Sequence, residues 1–185
     1  MKLALLYPVK PHVVNRAWGY YSPGEYERFG FARHNGVDLA LVHGQPIFSP
    51  LEAEVVRIGD EPQGGGIFVS ILSSHAYEFD DGIEARVLLD FMHCQEVMVR
   101  EGEHVVPGAM LALGDSTGVT TGSHTHMQSR REAVIPPPLG ATRVFDFQGE
   151  RVCLQDIDTN DANNSFDPTP YFTGAYAVDD RMRYR

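Results

Sequence analysis

The sequence predicts an all-β fold, an antiparallel β-sheet sandwich or open barrel whose long loops frame a groove. Three observations lead there. Short apolar runs with strand-like alternation recur from residue 34 onward, and Gly, Pro and Asp clusters punctuate them at close intervals. Between them no segment carries the helical repeat that a strand-helix-strand unit requires. A chain of 185 residues with 43% hydrophobic content can bury one sizeable core, so it is read as one domain with extensions.

Taken in order, residues 3–6 are an apolar run halted by Pro8 and are expected to form an opening strand. Residues 9–33 mix Pro, Gly, Asn and aromatics without a period, which predicts a long surface excursion framing something. Its aromatics Trp18, Tyr20, Tyr21, Tyr26, Phe29 and Phe31 are expected partly to anchor that loop and partly to wall a groove. Strands are expected over 36–41, 54–58 and 67–72, with Gly64-Gly65-Gly66 as a hairpin or bulge signal. No Lys-Ser/Thr pair follows these glycines, so they are not a phosphate loop. In the strand over 85–93 a period of two puts Val87, Leu89, Phe91 and His93 on one face. Residues 105–108 read as a turn, and 109–113 as the next strand. Beyond Gln128 the pattern weakens to a Pro136-Pro137-Pro138 spacer, one hairpin over 144–152 and a polar loop over 156–164.

Composition excludes several functions. A formal net charge of −10 lacks the clustered Lys and Arg of a nucleic-acid footprint and the polybasic means of holding an anionic membrane. No apolar run is long enough to cross a bilayer, and the first eight residues are too short for a signal peptide. Cys94 and Cys153 could form one disulfide, but two cysteines define neither a disulfide scaffold nor a zinc finger.

The chemistry concentrates in three places. His124-Thr125-His126, in a strand, sets two imidazoles on one face a few ångströms apart. His34 and Asp38 are four apart around Gly36, in a strand or turn, and His93 stands alone. A hydrolytic zinc site takes three ligands from His, Asp and Glu and leaves a position for water. His34, Asp38 and one histidine of the 124/126 pair supply three, leaving the other histidine and His93 beside the metal to move protons. His12, His43, His75 and His104 lack such partners. Oxygen side chains spaced along 156–167 resemble a calcium loop, but the glycine, the terminal Glu and the flanking helices are absent, so a solvated loop is expected.

These residues together resemble the M23 (lysostaphin/LytM-type) zinc metallopeptidases. The resemblance rests on His34-Asn35-Gly36-Val37-Asp38, the strand pair over 46–58, His93, the glycine-spaced run from Val99 to Gly108, and Ser116-Thr117-Gly118 leading to His124-Thr125-His126. It covers about residues 28–128 and a closing segment over 166–172, with 129–165 as an extended connection longer than that family leads one to expect. Departures are Ser123, Thr125 and Gln128, where the family usually carries Pro, Leu and Glu. None of these is a ligand position.

The resemblance implies a LytM-like fold and a zinc-dependent endopeptidase acting on stem peptides or cross-bridges of peptidoglycan. It implies His34, Asp38 and His126 as zinc ligands, His93 and His124 as the catalytic pair, and Tyr26 as a further oxyanion donor. The expected partner is peptidoglycan, with no nucleic acid and no membrane, and the chain is expected to be a monomer. The alternative is a non-catalytic LytM-like module regulating cell-wall hydrolysis, against which all five positions survive. A cupin, a metal-binding β-barrel that needs a later histidine, ranks far below because none follows His126. With no signal peptide or wall-binding repeat visible, a phage lysis or virion-associated enzyme is expected, an exported bacterial one being the alternative.

Overall fold

The computed structural model describes residues 1–26, 33–132 and 165–173, together with the backbone of three short stretches, 143–147, 150–154 and 177–178. Thirteen strands are described: β1 (Val13–Arg16), β2 (Val37–Ala40), β3 (Pro46–Phe48), β4 (Ala53–Glu61), β5 (Gly66–Ser73), β6 (Tyr77–Glu78), β7 (Glu84–Val97), β8 (His104–Val105), β9 (Met110–Gly114), β10 (His124–Glu132), β11 (Arg143–Phe147), β12 (Glu150–Leu154) and β13 (Ala177–Val178). A 3-10 turn at Thr169–Tyr171 is the one helical element among the described residues. The all-β expectation holds.

The main sheet runs β13-β1-β2-β10-β7-β5-β4-β8, antiparallel except for the β1–β13 pair, and does not close on itself among the described residues. One face is apolar because alternate positions are apolar across the register. Met127 of β10 lies opposite Phe91 of β7, which lies opposite Val69 of β5, and Leu89 lies opposite Ile71, which faces Val55 of β4. Leu5, Val9, Ile47, Leu51, Leu111, Phe79, Phe166 and Phe172 complete the same core.

Four expectations change. Residues 3–6 form no strand. Leu5 is fully buried, yet it pairs only once, donating to Tyr171 O and accepting from Thr173 N, and Pro8 and Pro11 follow too soon for a ladder to propagate. The 9–33 excursion contains β1, a structural strand of the sheet. The strand expected to end at His93 runs on to Val97, and the proposed connection from residue 129 opens with four further residues of β10.

The remaining expectations at these elements are met. The Gly64 to Gly66 triplet is the β4–β5 hairpin, residues 106–108 turn into β9 once β8 has taken Val105, and β11 pairs β12 as the expected hairpin. Trp18 anchors its loop, with Nε1 donating to Ser165 Oγ at 3.4 Å. Cys94 is a buried free thiol in the core. Phe29, Phe31, the Pro136 to Pro138 spacer and most of the 156–167 loop lie outside the described residues.

Candidate metal centre

Three strands carry the site across the sheet in one row. Arg16 of β1 lies opposite Asp38 of β2, and Asp38 lies opposite His126 of β10. His34 reaches the row from just before β2, where its backbone is pinned on both sides, N–H to Tyr20 O at 2.9 Å and carbonyl to Gly19 N at 2.8 Å. Gly36 makes the approach possible. A Cβ there would stand 2.6 Å from His126 Nε2 and 2.6 Å from the Met127 carbonyl.

His34 Nε2, Asp38 Oδ1 and His126 Nδ1 form a near-equilateral triangle with sides of 2.9, 3.0 and 3.0 Å, and all three residues are buried. In a tetrahedral zinc site with bonds of about 2.0–2.1 Å, ligand atoms stand roughly 3.3 Å apart. The donor chemistry fits as well as the spacing does. A carbonyl cannot donate, so the 2.9 Å bond from His34 Nδ1 to Ala17 O carries a proton on Nδ1, and in the neutral ring Nε2 is then a bare lone pair. Asp38 Oδ1 is an acceptor, and a neutral His126 has at most one proton for this side. Buried lone pairs converging with so few protons need a cation, and His₂Asp is a donor set that suits zinc.

His124 and His93 flank the triangle. His124 opens β10 on the same face as His126, with Nδ1 on Gly122 O at 2.9 Å and Nε2 3.5 Å from Asp38 Oδ1. His93 sits in a bulge of β7, where Phe91 to Cys94 opposes only Val69 to Ile67 of β5. This corrects the expected alignment. The extra residue passes the core position to Cys94, so His93 leaves the face of Val87, Leu89 and Phe91 and meets His124, ring centroids 4.7 Å apart. Its φ of 62° makes it the one non-glycine residue with positive φ among those described.

Two contacts hold the bulge in place. His93 N donates to Gly65 O at 2.8 Å, and His93 Nδ1 lies 2.8 Å from Thr117 O, so its Nε2 is bare too. The loop bearing Thr117 passes so close to the hairpin that a Cβ on Gly118 would lie 2.3 Å from Gly66 N.

The electrostatics follow from burial and from Asp38. Burial opposes the Asp38 charge, but the facing His34 and His126 outweigh it and hold the carboxyl well below its ordinary range. Burial depresses His126, which Asp38 partly offsets. Burial, then the neighbouring His124, takes His93 down to about 4, so this ring is neutral at physiological pH.

Tyr26 stands at the edge of this set, its ring 5.4 Å from that of His34 and its hydroxyl accepting from Arg16 Nη1 at 2.8 Å. The structure therefore brings together all six residues expected from the sequence. Sequence reasoning missed Arg16, because residues 9–33 showed no period from which its place opposite Asp38 could be read.

Comparison with known proteins agrees with this geometry. A 95-residue stretch is 27% identical to an uncharacterized metalloprotease of Haemophilus influenzae, covering 51% of this chain and 18% of that protein. Over 97 residues it is 28% identical to the peptidoglycan DD-endopeptidase ShyA of Vibrio cholerae, covering 52% of this chain and 20% of that one. The chain thus spans about a fifth of the length of these curated relatives. In fold it is similar to the catalytic domain of the antimicrobial peptidase lysostaphin from Staphylococcus simulans, with a TM-score of 0.57 at 20% identity, covering 85% of this chain and 89% of that domain. The family model of Peptidase family M23 matches residues 32–137, more than half of the chain, with the candidate metal ligands inside the match. The chain belongs to peptidase family M23.

Proposed function

We propose that this protein is a zinc-dependent endopeptidase that hydrolyses peptide bonds in peptidoglycan. The observation that carries the reading is the triangle of buried lone pairs with two further imidazoles beside it, each presenting a bare Nε2. Similarity to ShyA supports the substrate class. In this reading His34, Asp38 and His126 hold the zinc, which when bound acidifies a water and polarises the scissile carbonyl.

The remaining steps belong to the side chains. His124 Nε2, on the ligand face, takes the water proton as general base and returns it to the leaving amine. His93 is neutral with its only ring proton on Thr117 O, so it accepts a hydrogen bond from the water and has no proton to offer an oxyanion. The oxyanion donor is Tyr26, since its hydroxyl oxygen accepts from Arg16 and its own proton stays free to donate.

The test measures zinc per chain by elemental analysis beside the digestion rate of purified peptidoglycan, with and without chelator. Wild type is expected to digest the wall only when metal-loaded. His126→Ala should lose both zinc and activity. His124→Ala should keep its zinc and lose roughly 10²- to 10⁴-fold in turnover. Zinc lost from His124→Ala but kept by His126→Ala would reverse the division of the pair. Digestion that withstands both substitutions would refute the reading.

A further inference from the structure

We propose that Arg16 is the positioning residue of the metal centre, one guanidinium that holds both the outer oxygen of Asp38 and the hydroxyl of Tyr26. This deepens the zinc-peptidase reading and rests on it. The sheet itself makes the arrangement, because β1 pairs β2 with Arg16 opposite Asp38, after a bulge between Val14 and Arg16. Arg16 Nη1 donates to Tyr26 Oη at 2.8 Å and to Glu25 Oε1 at 2.6 Å, while Nε lies 3.8 Å from Asp38 Oδ2. The guanidinium also lies over the ring of Tyr20, 5.3 Å from its carbon to the ring centroid.

The two oxygens of Asp38 are thereby given different tasks. Oδ1 faces His34 and His126 inside the triangle, and Oδ2 faces the cation. At 3.8 Å that contact is an ion pair and not a hydrogen bond, so it acts through charge. It orients the carboxylate, holding Oδ2 outward and leaving Oδ1 turned toward the two imidazoles. Partners behind a ligand orient it and tune the metal in this way.

The same guanidinium sets Tyr26. Its bond occupies an acceptor position on the hydroxyl, and Glu25 fixes the same nitrogen, Nη1. A planar fork with several donors can serve both groups at once, whereas an ammonium offers one point charge.

The experiment compares wild type, Arg16→Ala, Arg16→Gln and Arg16→Lys. Zinc affinity of the metal-free proteins is measured by competition with a chromophoric chelator, alongside kcat and KM on a soluble cross-linked wall fragment and the melting temperature of each metal-free protein. Arg16→Ala should bind zinc roughly 10- to 100-fold more weakly and lose kcat more than KM. Arg16→Gln, close in size but uncharged, should lose zinc affinity to a similar extent, and it carries the test if the alanine variant fails to fold. Arg16→Lys should recover zinc affinity through its charge while kcat stays low, because it cannot hold Tyr26 as well.

Wild-type zinc affinity in Arg16→Gln overturns the proposal, as does affinity that follows melting temperature instead of charge across the series. The zinc readout needs no substrate. A wild type that binds zinc but leaves the wall intact would therefore sink the peptidase reading while the Arg16 proposal is judged on affinity alone.

Discussion

Replacing His93 separates backbone strain from chemistry, because the two act on different variants. The residue sits at φ 62°, where an L side chain costs about 1–2 kcal/mol relative to the right-handed regions. Glycine adopts that conformation freely but loses about 0.5–1 kcal/mol more backbone entropy on folding. His93→Gly should therefore be about 0.5–1 kcal/mol more stable than His93→Ala, which for a chain of this size is roughly 1–4 °C in Tm. Both lose the same imidazole bond to Thr117 O. The bulge itself should survive in both, since the His93 N–H remains on Gly65 O at 2.8 Å and its carbonyl on Asp115 N at 2.9 Å. Activity should not follow stability. Both variants lack the acceptor for the attacking water and should fall at least roughly 10²-fold in wall-digestion rate. Melting curves of the two metal-free variants and turbidity assays on purified walls make the comparison. A glycine variant that melts below the alanine variant refutes the strain argument, and wild-type turnover in either refutes the assignment of His93.

Two other outcomes follow from the same geometry. Gly36→Ala should weaken zinc binding strongly with no ligand touched, because its Cβ would displace His126 Nε2 or the Met127 carbonyl, both 2.6 Å away; full zinc occupancy at wild-type affinity would contradict this. The metal-free protein should lose stability on acidification. Unfolded histidine titrates near 6.5 and His93 near 4 when folded, so the unfolded chain binds more protons between those values, and stability falls as pH drops through that window and levels off above it. The His93 share at pH 5 is on the order of 2 kcal/mol. His126, also depressed by burial, acts in the same direction, and the Asp38 contribution is lost only below the ordinary carboxylate range. Urea midpoints at pH 7 and pH 5 should differ less in His93→Ala than in wild type, and equal differences would show that His93 is not the titrating group.

Most of the candidate site was legible because its signals are local. The His-x-His pair needed only the two-residue period of a strand, and His34 to Asp38 needed only a glycine between two candidate ligands. What escaped depended on pairing across the sheet. His93 was placed on the apolar face by strict alternation, and the extra residue in β7 is visible only against β5, where four residues oppose three. Arg16 sits in a four-residue strand whose partners are remote in sequence, β2 and β13, so no local pattern marks it. Residues 3–6 misled in the opposite sense. Their apolarity is used, with Leu3 and Leu5 in the core, but burial alone does not make a ladder.

The position of the centre within the sheet also has a physical reason. β10 alternates between two unlike faces: Met127 points into the core, while His126, Gln128 and Arg130 line the other side. On that side Gln128 lies opposite Asp90 of β7, which lies opposite Ser70 of β5. Asp90 accepts from Arg130 at 2.5 Å and from Ser70 Oγ at 2.5 Å, with all three residues buried. A buried ion pair of this kind adds little net stability, but breaking it by removing one partner is costly, so it acts to hold its strands in one register. A register slip of one residue would send His126 to the core and Met127 to the site. The Arg130–Asp90–Ser70 network, four residues along β10 from His126, opposes that slip on the same face that presents His124 and His126. The polar row and the metal triangle are thus two parts of one requirement, that β10 keep its histidines on the side where Asp38 and His34 meet them.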